Sequence, residues 1–193
     1  MKVEQYVMAY SVEQDRLRAM LPEGFTSLRP VLRVNAEIRA EQGGYVELNT
    51  AVERDGVRGW LNIAVWEDVS FRRQEKTVTF RAGALEISFA GVGITGGCPA
   101  EKDNQGCFFL QDEDVTLREA EEIEERKEFC DCRFVWGVPG GAEGESTGET
   151  LPAIPQERMV DYPRRELTAE NAAVIPCRQV LGAYRVCFER ERR

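Results

Sequence analysis

The sequence contains no histidine among its 193 residues. That absence removes Ser-His-Asp and Cys-His catalysis, histidine metal triads and imidazole proton shuttles together. Acid-base work falls instead to Asp, Glu, Lys, Tyr or Cys. Lysine is scarce too, found only at Lys2, Lys76, Lys102 and Lys127. No uninterrupted apolar run approaches about 18 residues, so no membrane-spanning helix is expected. The segment MKVEQYVMAY lacks the apolar core of a signal peptide. The cysteines are Cys98, Cys107, Cys130, Cys132, Cys177 and Cys187. They include no CxxC pair, which argues against a zinc site. A cytoplasmic location with reduced thiols is expected, with no metal and no cofactor.

What is present suits one domain spanning 1–193 with a substantial core. Hydrophobic residues make up 42 % of the chain and the net charge is −9. This acidic balance argues against nucleic acid and anionic membranes as partners. A small-molecule ligand is the partner expected, and a homo-oligomer is left open.

Alternation dominates the pattern. In Val31 to Ala40, Leu32, Val34, Ala36 and Ile38 fall on one face, and Arg33, Asn35, Glu37 and Arg39 on the other. Such a polar face is either solvated or the lining of a pocket, and a closed barrel allows both. Tyr45 to Val52 alternates likewise, with Tyr45, Glu47 and Asn49 together. Asp55-Gly56 signals a hairpin, leading to a strand from Val57 to Glu67. Thr77–Phe80 and Leu85–Val92 read as another pair. Ser11 and Gln14 have capping-box spacing for a short helix ending at Pro22 and Gly24. Gly93 to Gly106 reads as a glycine-rich loop, and Leu117 to Phe129 as a charged surface helix. Pro139 to Thr150 reads as a mobile loop. Thr168 caps a helical turn through Ala173, and a final strand segment runs from Val174 to Arg190. Many strands with about two helices predict a mainly β fold.

Several segments carry a family resemblance. They are DRLRAMLP (Asp15–Pro22), the apolar-apolar-Arg order of Pro30–Arg33, Gly44-Tyr45-Val46-Glu47, and DGVRG (Asp55–Gly59) followed by an apolar run to Asp68. In this order and spacing the chain resembles the acetoacetate decarboxylase-like superfamily, over about a third of its length. The resemblance implies a single-domain antiparallel β-barrel with peripheral helices and an enclosed pocket. It also implies a lyase that decarboxylates a small keto acid through a Schiff-base lysine. On that basis Glu47 is a pocket acid, Arg33 binds a substrate carboxylate, and both face the barrel interior.

In the family the nucleophilic lysine has a second lysine beside it, which depresses its pKa. Here Lys102, within Cys98-Pro99-Ala100-Glu101-Lys102, is the candidate nucleophile, and no lysine adjoins it. Each site residue also has a plainer reading. Lys102 could be an exposed loop lysine, Glu47 a strand surface residue, and Arg33 the partner of Glu47 or Glu37 in an ion pair. Cys98 is a thiolate or a small buried residue. The GITGGC turn offers an anion cradle or merely a tight path. A non-catalytic binding protein on the same fold is the alternative function. A relative with chemistry that needs no Schiff base is another.

Overall fold

Long runs of alternating apolar and polar residues favour pleated, half-buried strands. The computed structural model describes residues 1–40, 42–96, 105–112, 114–147 and 159–191. Among them, eleven strands join in one sheet. In chain order these are β1 (Lys2–Val12), α1 (Gln14–Arg18), β2 (Thr26–Arg39), β3 (Gly43–Arg54) and β4 (Val57–Gln74). Then come β5 (Thr77–Ala82), β6 (Leu85–Gly96), β7 (Gly106–Gln111), β8 (Asp114–Glu119) and β9 (Lys127–Trp136). The last are β10 (Glu143–Thr147), α2 (Ala169–Ala173) and β11 (Cys177–Glu189). No helix among the described residues is long and apolar enough to cross a membrane.

The strand order is β3-β2-β1-β11-β9-β6-β5-β4, and β4 pairs back onto β3, so the path returns on itself. The long β4 makes this possible by changing partners. Its Val57–Val69 stretch lies against β3, and Ser70–Gln74 lies against β5. The β3–β4 turn is Asp55-Gly56, with φ of 52° and 79°. That two-residue, positive-φ geometry matches the twist of a hairpin. The hairpin β7–β8 extends the sheet beyond β4, and β10 flanks β9. The pairing departs from an all-antiparallel scheme at one place, where β7 runs parallel to β4 through Trp60↔Cys107 and Leu61↔Phe108.

One face of the strands forms the main core. Met8 and Tyr10 of β1, Val34 and Ala36 of β2, and Val46 and Leu48 of β3 pack with Phe80, Ile87, Phe89 and Phe134. Burying a side chain of this size contributes about 1.5–3 kcal/mol. Tyr10 stacks on Phe134 at 4.5 Å between ring centroids, and the Trp136 indole N–H donates to its hydroxyl at 3.2 Å. The polar tip of Tyr10 is thereby satisfied.

Four local expectations change. Ser11 does not cap a helix. It stays in β1, paired to β2 and β11, and its hydroxyl donates to the Gln179 carbonyl at 3.3 Å. The helix begins after Glu13, whose side chain makes no capping hydrogen bond. The charged segment from Leu117 is not a helix: β8 runs to Glu119, and Lys127 opens β9. Pairing with β7 outweighs helix propensity there. The glycine-rich stretch after Val92 is strand as far as Gly96. The stretch after Pro139 includes β10, bonded to β9. The Thr168 cap is present, accepting from the Asn171 N–H at 3.2 Å.

The parallel contact between β4 and β7 depends on a missing side chain. A Cβ on Gly59 would sit 2.2 Å from the Gly106 carbonyl oxygen. Gly59→Ala should therefore push β7 away from β4 and cost about 1–3 kcal/mol, read as a lower urea midpoint. An unchanged midpoint would mean that this close approach is not part of the folded state in solution.

Candidate functional site

The face of β1–β3 opposite the apolar core is polar, and it is buried as well. Register sets its layout: Asn35 lies opposite Glu47, Glu37 opposite Tyr45, and Gln5 opposite Glu37. This face floors a cavity of about 1190 Å³. The far wall comes from Cys107 of β7, Arg118 and Glu119 of β8, and the chain from Ala120 to Ile123. Arg33 and Glu47 both line this cavity. They do so from the side of the sheet turned away from the main apolar core, not from within that core. Period-two alternation forces this, because Leu32, Val34 and Ala36 take the core side.

Glu37 anchors the cavity floor. Its side chain is only 2 % exposed. Both of its oxygens are matched by the Arg190 guanidinium, each at 2.9 Å. Arg39 donates at 2.6 Å and Gln5 at 3.1 Å. Burial by itself raises the carboxyl pKa. The hydrogen bonds and charge of Arg190, followed by those of Arg39, outweigh that, and the pKa ends below its ordinary value. Arg190 also grips Glu121 of the far wall, at 2.7 Å. One guanidinium thus ties the floor to the cover.

Glu47 is held differently. Asn35 donates to one oxygen and the Tyr45 hydroxyl to the other, each at 2.9 Å. Burial, then the Glu47 charge, pushes the Tyr45 phenol well above its ordinary value, so it remains a donor. Arg39 lies over the Tyr45 ring at 3.6 Å.

Arg33 stands apart from Arg39 and Arg190, which also line the cavity. Arg39 and Arg190 are ion-paired to Glu37. Arg33 forms no ion pair with a carboxylate among the described residues, so neither Glu47 nor Glu37 neutralises it. Its guanidinium lies over the Trp60 ring at 3.8 Å, a favourable cation–π placement. Its Nε is buried with no hydrogen-bond partner. Cys107 sits beside it. Burial raises that thiol, the Arg33 charge opposes the rise, and the net shift is upward.

Lys102 and Cys98 lie outside the described residues. Lys2 and Lys76 are exposed. Lys127 is not on a surface helix. It opens β9, is 5 % exposed, and donates to the Ile123 carbonyl at 3.4 Å. Sequence reasoning passed over Trp60, Cys107 and Arg190 as site residues. The alternation of β2 and β4 marks a face but not what covers it. Arg190 sits in a short charged run, RERR, that gave no signal.

A circuit of strands with one apolar face, and one polar face roofed over a cavity, defines a class of pocket-bearing β proteins. Within that class, the chain has the acetoacetate decarboxylase-like fold. Acetoacetate decarboxylase from Legionella pneumophila superposes with a TM-score of 0.55 at 13 % identity, covering 97 % of this chain and 81 % of the other. A second acetoacetate decarboxylase structure gives 0.50 at 13 % identity, over 96 % and 84 % of the two chains. The enduracididine biosynthesis enzyme MppR complexed with pyruvate gives 0.50 at 11 % identity, over 96 % and 84 %. Neither a family model nor a curated protein matches the sequence.

The depressed Glu37 carboxyl predicts a pH signature. A carboxyl with a lowered folded-state pKa contributes stability that is present above its unfolded pKa and lost as pH falls through the folded one. Arg190→Met should cost about 2–4 kcal/mol at pH 7, because it leaves a buried charge short of its main partner. The gap from wild type should narrow on acidification, as Glu37 takes up a proton. Urea unfolding of both proteins from pH 7 to pH 3 measures this, and a gap that widens toward acid would refute it.

Proposed function

We propose that this protein takes a small oxo acid into the polar cavity, with Arg33 as the carboxylate anchor. One observation carries this reading: Arg33 is the cavity arginine whose buried Nε has no partner and whose charge meets no ion-pairing carboxylate among the described residues. Lining, burial and stacking on Trp60 prepare a planar fork for a planar anion. MppR, complexed with pyruvate, gives the size class, and the cavity has room for such a molecule. Glu47, fixed by Asn35 and Tyr45, is positioned to exchange a proton with a bound ligand.

The fuller version is a single-domain lyase on a closed antiparallel barrel. The Lys102 amine attacks the ketone carbonyl, water leaves, and an iminium forms. In a β-oxo acid the electron pair of the breaking C–C bond moves into that iminium as CO2 departs, and the enamine left behind takes up a proton and is hydrolysed to release the ketone and the lysine. Support for this step comes from the resemblance and the fold. A second reading is binding without catalysis, supported by the sequence, in which no lysine adjoins Lys102 to lower its pKa.

Titration calorimetry with acetoacetate and pyruvate tests the anchor. Arg33→Gln should weaken binding about 10- to 100-fold, the loss expected for a charge-assisted hydrogen bond. Borohydride added with acetoacetate should trap an adduct on Lys102, seen by mass spectrometry and absent in Lys102→Ala. Binding with no adduct and no CO2 release would select the second reading. No binding of either acid would sink both.

A further inference from the structure

Asn35 also lines this cavity and carries a second unpartnered buried atom. The residue is 8 % exposed, and its Oδ1 is buried with no hydrogen-bond partner. The orientation of this amide is not arbitrary. Its Nδ2 donates to Glu47 Oε1 at 2.9 Å, and an amide nitrogen donates while its oxygen accepts. With Nδ2 on Glu47, Oδ1 is left as a free acceptor. A buried acceptor left without a donor is costly, and native structures seldom tolerate it without a reason. Arg33 and Asn35 lie two residues apart on the same face of β2, so their Cα atoms are about 6–7 Å apart. Two neighbouring lining residues thus carry one unused buried donor and one unused buried acceptor.

We propose that the preferred ligand is a small carboxylic acid that also carries a hydrogen-bond donor, a hydroxyl or an amino group, near its carboxylate. Asn35 acts as the specificity-determining residue that receives this donor. The inference rests on the reading of Arg33 as the carboxylate anchor. The carboxylate accepts from Arg33 Nε, and the donor reaches Asn35 Oδ1. A simple oxo acid meets only half of this requirement, because its ketone oxygen accepts and cannot donate. A site with a buried unpaired acceptor discriminates against ligands that leave it unpaired. The ligand class is therefore hydroxy- or amino-substituted acids, including oxo acids that bear such a group.

The test compares four-carbon acids that differ at one carbon: butanoate, acetoacetate, 3-hydroxybutanoate and 3-aminobutanoate, titrated calorimetrically into the wild-type protein. The hydroxy or the amino acid should bind at least about tenfold tighter than butanoate and tighter than acetoacetate. Which of the two wins identifies the donor. In Asn35→Ala the ratio of affinities, donor-bearing over plain, should fall to about one. In Arg33→Gln all four acids should weaken together while the ratio persists. Equal binding of all four to wild type, still lost in Arg33→Gln, would overturn the specificity claim and leave the anchor intact. It would mean that Oδ1 is served by a structural water. If no acid binds wild type, the anchor reading itself fails, and this inference fails with it. The wild-type ratio decides the matter even where Asn35→Ala does not fold.

Discussion

The structure depends on one buried charge being fully matched. Glu37 sits on the polar sheet face and is itself only 2 % exposed, where an isolated carboxylate would be prohibitively expensive. Two guanidinium groups and an amide surround it. This arrangement lets β1, β2 and β3 bury both faces at once. A half-matched network in the same place would be worse than an apolar one, so the pieces that supply the partners must all be in place together.

The two faces divide the labour. The apolar face of β1–β3 joins the aromatic residues of β5, β6 and β9 and supplies cohesion. The polar face supplies a set of groups with restricted freedom. Glu47 is held by two donors, Tyr45 by an arginine over its ring, and Arg33 by an indole. Most of these groups satisfy one another. Among those that do not are Arg33 Nε and Asn35 Oδ1, on residues that line the cavity. The β7–β8 hairpin and the chain up to Ile123 keep these groups away from bulk water, where they would be worth far less.

The part of the fold carried by local pattern was legible in the sequence. The alternation in β2 and β3 identified which residues share a face, and Asp55-Gly56 marked its turn. The sequence also placed Arg33 and Glu47 on polar faces of neighbouring strands. The side on which the cavity lies was not legible, because period-two alternation looks the same whether water or another layer covers the polar face. Nor was the fate of Leu117 to Phe129, where helix-forming glutamates conceal a strand that exists only because β7 pairs with it. The role of Arg190 rests on an interaction across 153 residues, and no local signal can report that.

The pairing of β1 with β11 has a temporal consequence. Lys2 lies opposite Glu189, and Val3 opposite Phe188, so strands from opposite ends of the sequence lie side by side. Contacts of such long separation carry the loop-closure entropy of nearly the whole chain and arise late in folding. Arg190 follows directly on β11 and docks through it. Until then Glu37 has lost its main partner, and the floor of the cavity is open to water. The cavity floor is thus complete only once β1 and β11 have paired.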